Sequence, residues 1–217
     1  MTQQERQQRS REEIFRAAQE EFGTVGYDGV NMERICAKHG ISKGMMYHYY
    51  TGKDELFLLC VERTFRELEA YIEGEMGSLE KLDVREAVKS FFVLRERFFE
   101  QRPLQKGIFE SAMLRPPKHL VGQIEALRVP VRRLNRAFIA GLTARMPLRQ
   151  GLDPEAAARY LESVEPYFQN ILNDYCSDCP AQDVRSMLST AGGLLDLILF
   201  GLFRRPDGEP AAAARGL

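Results

Sequence analysis

Residues 39–56 read HGISKGMMYHYYTGKDEL, and no other stretch limits the fold so tightly. Gly40 is a loop signal and a new helix opens near Lys53, so only about two turns fit between them at ~3.6 residues per turn. A helix that short does not hold itself together in water and must be packed by neighbours. The preceding residues supply them. Ile14, Ala17, Ala18 and Phe22 recur at helical spacing and define one buried face, with Gly23 and Gly26 read as its stop. Asn31 reads as the cap of a second short helix carrying Met32, Ile35 and Cys36, which ends at His39-Gly40 with glycine as a left-handed C-cap. Ser42 is placed as the N-cap of the third helix. Thr51 with Asp54 resembles a capping box opening a fourth, which runs through Leu56, Cys60, Leu68 and Ile72 toward Gly74–Gly77.

Helical periodicity continues to the end of the chain. Asp83 and Glu86 open a helix with Val84, Val88, Phe91, Phe92, Phe98 and Phe99. Pro103 suits a first helical turn, Pro116-Pro117 breaks the chain, and a long helix covers about 120–145, with Pro130 expected to kink it or to mark its true start. Asp153-Pro154 reads as an N-cap followed by Pro, opening a helix with Leu161, Val164, Phe168 and Ile171, bent at Pro166. A last helix covers about 183–203. No segment has the two-residue period of a strand. The expected fold is all-α, with an N-terminal three-helix unit over 1–56, a larger helical body over 57–205 and a disordered tail over 206–217.

Bulk properties exclude several classes. The N-terminus lacks an apolar signal region. The most apolar stretch, 187–203, is short for a bilayer and contains Asp196, so the expectation is a cytoplasmic protein with no membrane contact. The net charge of -1 gives no global attraction to nucleic acid, and any such contact must come from a local patch. No nucleophile–base pair or metal constellation stands out, so no enzyme activity, catalytic residue, metal or cofactor is expected. Cys176-Ser-Asp-Cys179 is a single CxxC in the turn before the last helix; a thiol redox sensor is the alternative it leaves open.

Two short helices joined by a glycine turn form a helix-turn-helix arrangement, and the second has the chemistry to meet duplex DNA. Its N-terminus carries free N–H groups and positive dipole character suited to phosphate. Ser42 and Lys43 add a hydroxyl and a cation there, and Gly44 lets a backbone or sugar approach. Tyr47 and His48 can donate to phosphate or read a base edge. Met45 is suited to a thymine methyl, and Lys53 to the backbone on the other side. Residues 1–56 hold eight Lys/Arg against nine Asp/Glu. The reading therefore requires Arg6, Arg9, Arg11, Lys43 and Lys53 to share a face away from Glu12, Glu13, Glu20 and Glu21. The three arginines could also form a flexible arm.

Over residues 10–58 the sequence resembles the TetR family of transcriptional regulators. The matches are Ile14, Ala17, Ala18, Phe22, Gly26-Tyr27, Ile35, Gly40-Ile41-Ser42, Gly44, Tyr47-His48-Tyr49, Lys53 and Leu56. Departures are Asn31, Cys36, His39 and Thr51-Gly52, none of which removes an expected contact. The resemblance implies a homodimer on a palindromic operator in double-stranded DNA, most often a repressor, with a small-molecule effector in the helical body.

For that body, the residues suggest an apolar or aromatic effector bordered by some of Phe91, Phe98, Phe109, Phe138, Tyr167 and Phe168. The last helix is apolar on most sides, and Leu188, Ala191, Leu195, Ile198 and Leu202, with Leu161, Val164 and Phe168, form the expected dimer seam. His119 is expected to be a solvated helix start.

Overall fold

The computed structural model describes residues 2–146 and 184–202, with positions 148, 153, 156, 159 and 160 between them. Among the described residues the chain is all-α: α1 Gln3–Val25, α2 Met32–His39, α3 Lys43–Tyr49, α4 Lys53–Leu79, α5 Val84–Glu100, α6 Pro103–Met113, α7 Val121–Ala144 and α8 Val184–Leu202, with a 3-10 turn at Lys118–Leu120 before α7.

Local capping explains most boundaries. Asn31 accepts from the Arg34 N–H at 2.7 Å, and Gly40 closes α2 at φ 66, ψ 22. Asp83 accepts from the Glu86 N–H, and Pro103 begins α6. Pro130 lies inside α7. Asp153 accepts from the Ala156 N–H at 3.1 Å, as an N-cap should.

Three expectations fail. The first helix begins at Gln3, because Thr2 and Glu5 form a full capping box, so Arg6, Arg9 and Arg11 are helical and not a loose arm. Gly23 does not stop α1, which ends at Gly26 with φ 71. A Cβ on Gly23 would lie 2.5 Å from the Leu104 carbonyl oxygen, and one on Gly107 only 2.0 Å from the Gly23 oxygen. These glycines let α1 and α6 approach backbone to backbone, fixing the three-helix unit on the body. Thr51 and Asp54 form no capping box. Gly52 is the N-cap of α4, and Thr51 instead donates through its N–H and hydroxyl to Glu55 at 2.7 and 3.0 Å.

One buried apolar cluster runs from Ile14 in α1 to Leu199 in α8. The expected division at 56/57 falls inside α4, whose Phe57 packs edge-on against Phe22 and Tyr27 at 5.2 and 5.1 Å. The first turns of α4 thus belong to both units, and its later turns pack on α5, α6 and α7. Residues 161–183 and 203–217 lie outside the described set. With them go the expected bend at Pro166, the CxxC cysteines Cys176 and Cys179, and the tail.

Candidate DNA interface

The third helix, α3, is positioned by little of its own material. Ser42 accepts from the Met45 N–H at 3.1 Å, and the only buried side chain of the helix is Met46. Lys43, Gly44, Tyr47 and His48 all face solvent, and Tyr47 is 51% exposed. A Cβ on Gly44 would meet nothing within 4 Å, so the fold itself does not demand glycine there. Met45 is half-buried, and Tyr49 takes the Arg11 guanidinium 5.4 Å above its ring. Of the seven expected DNA-facing residues, Ser42, Lys43, Gly44, Met45, Tyr47 and His48 lie on this one short element.

The charges are arranged differently from the expectation. Arg9 borders the same surface groove as Glu12, Glu13, Glu20 and His39, so cations and acids of α1 are not on opposite faces. Glu12, Glu20 and Glu21 are instead held by cations. Glu12 binds Arg63 at 3.0 Å and Arg16 at 3.4 Å. Glu21 is only 1% exposed and binds Lys38 at 2.6 Å and Arg34 at 2.7 Å. Burial pushes the Glu21 carboxyl up, but these two cations outweigh it and hold the pKa below the ordinary range. Lys43 pairs with Glu33 at 2.8 Å on the open surface, a contact that exposed screening makes easy to exchange for phosphate.

Lys53 sits elsewhere. Its ammonium lies 3.9 Å over the Tyr27 ring and donates to the Tyr27 carbonyl at 3.3 Å. Tyr27 joins the two units: its N–H donates to Ser111 of α6 at 3.2 Å, and its hydroxyl donates to Asp54. His119, expected as a solvated helix start, contacts Asp54 at 2.9 Å through Nε2. The hydrogen bond from Tyr27 holds Asp54 below its usual pKa. Burial, and then Asp54, push the phenol of Tyr27 well above its own.

The family model for bacterial regulatory proteins of the tetR family matches residues 14–60, which run from the buried face of α1 through α3 to Cys60 of α4. Over these residues the chain matches the TetR family. Its curated relatives include the transcriptional repressor AcnR of Corynebacterium jeikeium, 36% identical over 72 residues, or 32% of this chain and 38% of AcnR. UidR of Escherichia coli K12, a transcriptional regulator, is 30% identical over 113 residues, 50% of this chain and 55% of UidR. The chain thus spans from about two fifths to just over half of these relatives. FadR of Bacillus halodurans has the same fold, with a TM-score of 0.59 at 17% identity, covering 90% of this chain and 97% of FadR. So does SmeT, the repressor of a Stenotrophomonas maltophilia multidrug efflux pump, with a TM-score of 0.59 at 21% identity over 95% of this chain and 96% of SmeT.

In the helical body the six expected pocket residues separate. Phe91 and Phe138 stack at 3.7 Å. Phe98 and Phe109 instead join Phe99 in a second buried aromatic group, at 5.1 and 4.7 Å from it. Tyr167 and Phe168 lie outside the described residues, as do Leu161 and Val164 of the expected dimer seam. The rest of that seam needs correcting. Leu188, Ala191 and Leu195 are buried within the single chain on the side of α8 that packs on α5, so they are not free to meet a second copy. Ile198 is half-buried, and the side chain of Leu202 is outside the described set. What α8 turns outward is Arg185, Ser189, Gly193, whose Cβ position is open, and Leu197, 71% exposed.

Sequence reasoning missed Arg95 of α5, buried at 6% exposure against Phe91. It also missed that Glu20, Glu21 and His39 offer ligand atoms within 4.8 Å of one another. The Lys38 ammonium already binds both carboxylates there, at 3.0 and 2.6 Å, and occupies the place a metal would need. Cys36 and Cys60 are buried free thiols, and burial pushes the Cys60 thiol well above the reactive range. Among the described residues no helix is long and apolar enough to cross a membrane.

Proposed function

We propose that this chain is a cytoplasmic, homodimeric transcriptional repressor that binds a palindromic operator and is released by a small-molecule effector. The observation that carries the reading is the division of labour in α3. Met46 is its one fully buried side chain, with Met45 and Tyr49 packed beside it, while Gly44, Tyr47, His48 and the surface-paired Lys43 face solvent. Polar-tipped aromatics and a lysine are suited to phosphate, sugar and base edges. AcnR and SmeT are both named as repressors, which supports the direction of control.

Dimerisation rests on the outward face of α8. Leu197 is the most exposed large apolar side chain among the described residues, and Gly193 beside it leaves room for close helix approach. A two-fold axis there sets two copies of α3 on one face of the duplex, about one turn or ~34 Å apart. The effector acts by population shift, favouring a separation of the two copies that does not fit the half-sites. Support for a small-molecule effector comes from FadR of Bacillus subtilis, which has the same fold (TM-score 0.59) and was solved with stearoyl-CoA. The link to α3 is the polar joint in which Tyr27 and Asp54 meet Ser111 and His119, because it ties the start of α4 to α6 and to the turn before α7.

Selection from a pool of random duplexes tests this reading. The recovered sequences should share an inverted repeat with two similar half-sites. Recovery of unrelated sequences, even at low ionic strength, would refute it.

A further inference from the structure

Two charged side chains are buried among the described residues, and they are treated in opposite ways. Glu21 is held by two cations. Among the described residues Arg95 has no carboxylate within ion-pair distance, and burial is the one influence on its charge. Its guanidinium lies 3.9 Å over the Phe91 ring and 5.9 Å from that of Phe92. It donates once to the Phe91 carbonyl at 2.8 Å and once to the side-chain oxygen of Asn135 in α7. A guanidinium carries five N–H donors, and only these two have an acceptor among the described residues. Burial without a counter-ion draws its pKa down to about 9, which still leaves it charged at neutral pH. A lone buried charge is among the most destabilising features a helical core can carry.

We infer that Arg95 is the anchor for the effector, and that the effector is an apolar or aromatic monocarboxylate. This deepens the regulator reading above and rests on it. A planar carboxylate fits the guanidinium fork with two parallel hydrogen bonds. One negative charge balances the one positive charge; a phosphate dianion would bury a surplus charge with no second cation to meet it. The neighbouring side chains suit the rest of such a molecule. The Phe91 ring lies between the guanidinium and Phe138, at 3.9 and 3.7 Å, and Phe92 extends the apolar surface toward Gly192 of α8, whose Cβ position is 3.5 Å from its ring. Arg95 lies between α5 and α7, and α7 packs on α4, the helix that reaches α3. A ligand charge placed here therefore acts next to the proposed transmission path.

The test is thermal unfolding of the full chain with 4-phenylbutanoate, decanoate and 1-naphthoate, each compared with its primary amide. At least one carboxylate should raise the unfolding temperature by several degrees, in a concentration-dependent way, with its amide inert. Arg95→Met should lose the response, while Arg95→Lys should keep part of it. The carboxylate–amide contrast in the parent chain needs no variant, so the outcome does not depend on either one folding. No stabilisation by any carboxylate, equal stabilisation by the amides, or a full response in Arg95→Met would overturn the proposal. The duplex selection separates the two readings: an inverted repeat recovered without any carboxylate response sinks only the anchor, whereas no sequence preference sinks the regulator.

Discussion

The helices α3 and α8 each leave one face uncovered in the single chain, and the two faces have opposite chemistry. The seven-residue α3 turns Lys43, Tyr47 and His48 outward and keeps only Met46 inside. The nineteen-residue α8 buries Leu188, Ala191, Leu195 and Leu199, yet still exposes Leu197 to solvent. An outward face with hydroxyl, imidazole and ammonium tips matches a hydrated polyanion. An outward leucine beside an open glycine matches another apolar surface. In both helices the outward residues can change with little effect on the single chain, so their cost appears only when something docks. This separates binding from folding at the level of single side chains.

The largest expected effect tests the apolar face. Leu197→Asp places an unpaired charge in the proposed seam and should weaken association by ~3–5 kcal/mol. Sedimentation should then show monomer, and operator affinity should fall with it. A dimer that survives this change moves the seam off α8. Next is the inward side of α3. Met46→Ala should cost ~2–5 kcal/mol of stability, read by denaturant melts, because a helix this short depends on packing and Met46 is its one fully buried side chain. Tyr47→Ala sharpens the contrast: the melt should stay within about 0.5 kcal/mol of the parent, while operator binding loses ~1–3 kcal/mol. The smallest effect belongs to Lys43→Ala. It should lower the slope of log affinity against log salt by about 1 with little change in half-site preference, measured by titrating the duplex across ionic strengths.

The sequence made these two helices legible to different depths, for a physical reason. Caps act over three or four residues, so Asn31, Gly40, Ser42, Asp83 and Pro103 could be placed by inspection. The outward set on α3 followed from its brevity. In α8 the apolar character was plain, but an all-round apolar helix does not announce which side faces its own chain, and Leu188, Ala191 and Leu195 of the stripe chosen as a seam are buried within the single chain. Gly23 shows the same ambiguity, since one letter serves both to end a helix and to let another backbone approach. The joint of Tyr27 with Asp54 and His119, and the contact of Arg95 with Asn135, link residues 27, 92 and 40 positions apart. No local pattern marks them.

Everything in the functional reading converges on two chains presenting α3 to one duplex. The mass of the complex formed on the selected duplex, with hydroxyl-radical footprinting of the same sample, measures this directly. The account predicts two chains per inverted repeat and two protected patches centred about one turn, ~34 Å, apart on one face. One chain per duplex, or a single protected patch, would contradict it.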